Sequence, residues 1–320
     1  MMRTGTTLPP LVNYDSPREL RSFLDERGLG MRKKHGQNFL INPAVRSRLL
    51  DALELRPNDT VWEIGPGLGA MTAGLLERGA QVTAFEIDSA FAQALREFFS
   101  AYSDGAAFRL VEGDVLKTWP AVAAGLNGQN AGSGLFLFGN LPYNIAAALL
   151  ADFIGKGRFF SRMVVTVQRE VAQRMAARPG SPDYSSFSVL CASVYKVTPL
   201  SVIKPSSFYP APRVDSQGVR LDLDNGRRKL PRLFYPLVRG LFSSRRKTIK
   251  NTLSNFAASV IIKHKPGASA PLPAKAALPM EIAVEVLSRS GISGERRPET
   301  LNIDDFAALA AFLEEAVSNE

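Results

Sequence analysis

A chain of 320 residues has room for one large domain and a smaller one, each with its own core. Its hydrophobic share of 45% and charged share of 22% fit a soluble globular protein, and no apolar run nears the roughly 20 residues of a membrane helix. The net charge of +9 favours an acidic partner, while a single cysteine and two histidines without partners at ligand spacing argue against an internal disulfide and a metal site. With no signal-type segment in residues 1–17, these features predict a cytoplasmic protein that does not engage a membrane.

Residues 1–16 are Thr- and Pro-rich and aperiodic, and read as a disordered stretch. Ser16 caps a helix reaching about residue 27, with Pro17 at its first position and Gly28 ending it. A helix follows over 43–53. Strands at 60–64, 81–87, 108–111, 135–138 and 162–167 then alternate with helices at 71–78, 90–99 and 145–154, a pattern that predicts a parallel sheet with crossover helices. After a helix over 169–177, strands at 187–197 and 217–223 are expected to add an antiparallel end to the sheet. Cys191 falls in the first of these and reads as a small buried hydrophobe. Helices are expected at about 231–241, 245–256, 280–289 and 302–318, with a Lys-, Pro-, Ala- and Ser-rich flexible loop over 263–279. The resulting organisation is an N-terminal arm, 1–30, an α/β domain, 31–224, and a smaller all-helical C-terminal domain, 225–320.

The strand ends carry the chemistry. Gly139-Asn140-Leu141-Pro142-Tyr143-Asn144 follows a buried strand, and such a turn suits an exocyclic amine on a flat ring. The Asn140 side-chain oxygen and the Leu141 carbonyl can each accept one N–H, Pro142 holds the turn rigid, and Tyr143 offers a ring for stacking. The same residues also fit an ordinary strand-to-helix turn capped by Asn144. Upstream, Glu63-Ile64-Gly65-Pro66-Gly67-Leu68-Gly69 leaves a strand and opens a helix, where Gly65 and Gly67 let the backbone approach a ligand. Glu86 ends the next strand, placed for both hydroxyls of a ribose, and Asp114 follows the third, placed to accept from an adenine amino group. A dinucleotide would also use a ribose-binding acid. However, Gly-x-Gly-x-Gly lacks the last glycine of that fingerprint, and Glu63, Glu86 and Asp114 ill serve a pyrophosphate. A cationic sulfonium suits them better, so the expected fold is a Rossmann-like methyltransferase sheet and the expected cofactor S-adenosyl-L-methionine.

Positions 227 to 250 hold nine basic residues and no acid, with Phe234, Tyr235 and Phe242 interleaved. Arg245, Arg246, Lys247 and Lys250 form one cluster there, and Arg32, Lys33, Lys34 and His35 form a second near the N-terminus. Basic runs are commonly solvated faces, but two one-signed clusters fit a nucleic-acid footprint better.

Taken in order, several motifs resemble those of the KsgA/RsmA family of small-subunit (16S) rRNA adenine dimethyltransferases, over about residues 33–254. They are Lys34-His35-Gly36-Gln37-Asn38-Phe39-Leu40, Glu63 to Gly69, Glu86-Ile87-Asp88, Gly113-Asp114, Gly139 to Asn144, Gln168-Arg169-Glu170-Val171, the stretch from Pro205 to Ser216, and Phe242-Ser243-Ser244-Arg245-Arg246-Lys247-Thr248. Any one could arise by chance, whereas their ordered combination is specific. The resemblance implies that Asn38, Leu40, Gly65, Glu86, Asp114 and Asn140 contact the cofactor. Asn140, Leu141 and Tyr143 would hold the target adenine, and Phe208 would close the pocket on the base's other face. It further implies N6-dimethylation of two adjacent adenines in a hairpin loop near the 3′ end of small-subunit rRNA, on an immature 30S particle, by a monomer. The chain departs from the family pattern at Ser185-Ser186, where a glycine is common, and at 263–279, which looks like an insertion. The rival readings are a large-subunit rRNA adenine methyltransferase of the macrolide-resistance type, a noncatalytic ribosome-assembly factor, and a DNA adenine methyltransferase whose DNA-reading domain is missing here.

Overall fold

The computed structural model describes residues 12–29, 38–103, 107–125, 134–141, 145–226, 229–244, 246–264 and 279–318. Its elements in chain order begin with α1 (Pro17–Glu26), β1 (Phe39–Leu40), α2 (Pro43–Asp51), β2 (Thr60–Ile64), α3 (Ala70–Glu77), β3 (Gln81–Glu86), α4 (Ser89–Phe98), α5 (Ser100–Ser103), β4 (Phe108–Glu112) and α6 (Val115–Ala124). They continue with β5 (Leu135–Asn140), α7 (Ala146–Gly155), β6 (Arg162–Gln168), α8 (Arg169–Ala176), α9 (Ser186–Ala192), β7 (Tyr195–Ile203), β8 (Phe208–Tyr209) and β9 (Ser216–Leu223). The last four helices are α10 (Phe234–Phe242), α11 (Ile249–His264), α12 (Pro279–Ser290) and α13 (Ile303–Ser318).

Among the described residues, seven strands form one sheet in the order β4-β3-β2-β5-β6-β9-β7. The first five run parallel, and β9 pairs antiparallel with both β6 and β7. Strands β2 and β6 are buried along nearly their whole length, as expected where helices cover both faces of a parallel sheet. The chain winds outward through β2, β3 and β4, then returns to the other side of β2 with β5. That reversal opens a crevice at the carboxyl ends of β2 and β5, where Ile64 pairs with Gly139. The Gly65 loop and Asn140 are thereby side by side.

The chain divides into two compact units: Met1–Gln173 with Tyr195–Leu223, and Arg174–Val194 with Asp224–Glu320. The sequence placed residues 174–194 in the α/β domain and read a strand over 187–197. Instead, α9 is a helix with a reciprocal Ser185/Ser188 capping box, and the strand starts later, at Tyr195. Tyr184 and Val189 join the core of α10–α13, and the Tyr184 hydroxyl donates to the Leu301 carbonyl at 2.9 Å. Cys191 is buried as expected, but on α9 rather than on a strand. Edge strand β7 carries Pro199 beside a register shift, a position where a missing N–H costs little.

Short elements escaped the sequence reading, α5, α6, β1 and β8 among them. Helix α6 follows Asp114, whose side chain caps it. The short ribbon β1–β8 pairs Phe39 with Tyr209 and Leu40 with Phe208. Among the described residues, no helix is long and apolar enough to cross a membrane. Residues 265–278, most of the expected loop, lie outside the described residues.

Candidate active site

The crevice contains a cavity lined by Asn38, Leu40, Gly65, Gly67, Glu86 and Asn140 among others. Six residues singled out in the sequence thus converge on one space, from β1, the β2–α3 loop, β3 and β5.

The loop is shaped by its glycines. Gly65, Gly67 and Gly69 all have positive φ, and a Cβ on Gly67 would come within 2.9 Å of the Phe39 ring. The Gly67 N–H donates to Glu86 Oε2 at 3.0 Å, and the Asp88 N–H to Glu86 Oε1 at 2.9 Å. Each carboxylate oxygen retains a lone pair for a further donor, which suits paired hydroxyls. Burial raises the Glu86 carboxyl above its ordinary value, and the Asp88 and Gly67 amides oppose the shift.

Glu63 lies deeper. Burial pushes its carboxyl up to about 8; a hydrogen bond from Thr72 Oγ1 at 2.6 Å opposes this, and nearby Glu86 adds to it. Two buried acids therefore face a cavity whose described lining holds no Lys or Arg. A pyrophosphate fits such a lining poorly, whereas a ligand carrying positive charge would relieve it.

Asn140 is tethered at both ends of its amide. Nδ2 donates to the Asn38 carbonyl at 2.8 Å, and Oδ1 accepts from the Thr166 hydroxyl on β6. Leu141 is buried, and its N–H donates to the Thr166 carbonyl at 3.1 Å. Pro142, Tyr143 and Asn144 lie outside the described residues.

Two further expected residues are not in this cavity's lining. Asp114 does not line this cavity; it caps α6, accepting from the Leu116 N–H at 3.0 Å. Phe208, expected against the target base rather than the cofactor, is 4% exposed, pairs opposite Leu40 and packs in the core cluster.

Conversely, the sequence missed Tyr14 and Leu20, which line the cavity. Tyr14 donates to the Leu68 carbonyl at 2.8 Å, and neighbouring Asp15 pairs with Arg46, which also donates to the Leu40 carbonyl at 2.9 Å. An aromatic residue just ahead of the Ser16 cap was the available signal.

On the helical unit, Arg246, Lys247 and Lys250 are exposed, while Ile249 and Leu253 are buried. The helix was expected to begin at 245, but α11 begins at Ile249. Arg246 and Lys247 therefore stand in a turn ahead of it, closed by Lys247 N–H to the Ser244 carbonyl at 2.9 Å. Arg32, Lys33, Lys34 and Arg245 lie outside the described residues.

A doubly wound sheet whose switch point presents a glycine-rich loop, a ribose-type acid and an asparagine amid acidic walls defines an S-adenosylmethionine-dependent methyltransferase. The family model described as "Ribosomal RNA adenine dimethylase" matches residues 28–265, and the chain belongs to that family. It is 42% identical over 311 residues to the "Ribosomal RNA small subunit methyltransferase A" of Treponema denticola, covering 97% of this chain and 98% of the relative. The protein of the same name from Borreliella burgdorferi (strain ZS7) is 36% identical over 299 residues, covering 93% and 94%. Among solved structures, a dimethyladenosine transferase from Plasmodium falciparum matches with TM-score 0.68 and 25% identity, covering 86% of this chain and 97% of that one. The 23S rRNA methyltransferase ErmE shares the fold, with TM-score 0.57 and 22% identity over 86% and 99% of the two chains. The expected methyltransferase sheet, cofactor class and rRNA adenine dimethyltransferase activity accordingly stand.

Proposed function

We propose that the cavity between β2 and β5 binds S-adenosyl-L-methionine and that the turn at Asn140 receives the target adenine. The observation that carries this reading is the shared cavity of Glu86, the Gly65 loop and Asn140. Glu86 would hold the ribose hydroxyls, Gly65 and Gly67 would let the backbone close on the ligand, and Asn38 and Leu40 would cover it. Bound there, the cofactor would supply an electrophilic methyl group on a cationic sulfur. Asp114, although engaged in its cap, keeps a second carboxylate oxygen for an adenine amine.

The exocyclic amine of adenine is a poor nucleophile because its lone pair is delocalised into the ring. Acceptors at Asn140 Oδ1 and the Leu141 carbonyl would favour a pyramidal nitrogen and stabilise the positive charge growing on it. Pro142 would stiffen the turn, and Tyr143 would stack on the base. A dedicated base is unnecessary, since the methylated ammonium can lose its proton to water. The remaining catalysis is alignment. An adenine enters such a pocket most cheaply from a single-stranded loop.

The substrate we assign is small-subunit rRNA in an immature 30S particle, dimethylated at two adjacent adenines of a hairpin loop near its 3′ end. The enzyme is read as a cytoplasmic monomer. Arg245, Arg246, Lys247 and Lys250, with Arg32, Lys33 and Lys34, would contact RNA phosphates, and the helical unit would select the particle. The test incubates the protein with labelled cofactor and unmethylated 30S or 50S particles and maps the modified base. Label confined to 50S particles would replace this substrate with the large-subunit one; label in neither would leave an assembly factor without catalysis.

A further inference from the structure

Asn140 can accept a hydrogen bond from an amine only if the oxygen end of its amide faces the substrate, and that orientation is held from outside the turn. The Asn38 carbonyl can only accept, so the amide end facing it is the NH2 group. The other end is therefore oxygen, and it meets the Thr166 hydroxyl, which can donate. Thr166 is 1% exposed and stands directly opposite Asn140 in the parallel pairing of β5 with β6. Its own carbonyl holds the Leu141 N–H at 3.1 Å. One buried residue thus ties down both acceptors of the turn, the side chain of Asn140 and the peptide that bears the Leu141 carbonyl.

We propose that Thr166 is a positioning residue for methyl transfer: it does not touch the adenine but fixes the rotamer and amide orientation of Asn140. An amide oxygen has two lone pairs, so the Thr166 bond leaves one for the amine. Without that bond, Asn140 keeps, among the described residues, the Asn38 tether alone and can swing about it, and the oxygen is presented for a fraction of encounters. The inference rests on Asn140 being the acceptor for the amine.

The test is Thr166→Val, which swaps a hydroxyl for a methyl group and leaves the backbone bond to Leu141 in place. The expected result is a fall in kcat of about ten- to a hundredfold, the scale of misplacing a reacting group by about 1 Å. Cofactor Kd should stay near the parent value, because Glu86 and Gly67 are untouched. Thr166→Ser, which restores a donor, should recover most of the rate. In an Asn140→Ala background, Thr166→Val should cause no further loss, since it acts through the missing side chain. Parent-like kcat in Thr166→Val, failure of serine to rescue, or an undiminished further loss in the Asn140→Ala background would each overturn the proposal. If Asn140→Ala itself turns over like the parent, the acceptor role of Asn140 falls first.

Discussion

Two buried carboxyls set the character of the site. Glu86→Ala removes the acceptors assigned to the ribose and should weaken cofactor binding by about 1.5–3 kcal/mol, the range for a hydrogen bond to a charged group. Calorimetric titration measures this, and unchanged affinity would move the ribose elsewhere. Glu63 makes a second, pH-dependent statement. Its folded value is raised from 4.5 to about 8, so its contribution to stability is fully present below 4.5 and is lost as pH rises through about 8. The raised Glu86 acts in the same direction. The cofactor-free protein should therefore lose stability across that window. Cofactor binding should strengthen over the same window, because a cation favours the ionised Glu63 and expels its proton. Thermal melts and titrations against pH follow both effects, and Glu63→Gln should flatten the two profiles; a parent-like slope in that variant would assign the proton to another group. Glu86 and Asn140 were legible in the sequence because each ends a strand. Thr166 was not, because a threonine inside the apolar run 162–167 reads as core, and only the register with β5 gives its hydroxyl a task.

At the scale of elements, the arm matters more than its composition indicated. Residues 1–16 read as disordered, yet Val12 is buried, Tyr14 holds the Leu68 carbonyl, and Asp15 pairs with Arg46. The Gly67 N–H holds Glu86, so the arm and the ribose-type acid grip the glycine-rich loop one residue apart. Tyr14→Phe keeps the ring and removes the clamp. It should weaken cofactor binding by about 0.5–1.5 kcal/mol and speed hydrogen exchange at residues 67–69. Native exchange and affinity would reduce the arm to a packed segment. Long periodic elements were readable because their apolar faces repeat. The two-residue strands β1 and β8 carry no period at all, and the largely apolar run 187–192 passes for a short buried strand until the Ser185/Ser188 cap is seen to start a helix.

Across the whole molecule, the C-terminal basic cluster and the cavity occupy different units. The cavity is built from the α/β unit, and the exposed cations Arg246, Lys247 and Lys250 belong to the helical one. The sequence located the change of architecture near residue 224 but could not show that 174–194 packs with the helices, because that contact joins Tyr184 to residues more than a hundred positions away. Cations ahead of a helix gain nothing from its dipole. The first amides of α11 are already engaged, Ile249 N–H with the Arg296 carbonyl at 2.8 Å and Lys250 N–H with the Gly294 carbonyl at 3.0 Å. The cluster therefore serves neither cap nor dipole, and the proposed phosphate contact would give it a purpose. Replacing Arg246 and Lys247 together with Ala should weaken rRNA binding and flatten its salt dependence by roughly 0.7–0.9 per lost phosphate contact. Cofactor affinity should be unchanged, since neither residue lines the cavity. Binding measured across a salt series decides the matter: a parent-like slope would make the cluster a solvated face and pass the RNA contact to Arg32, Lys33 and Lys34.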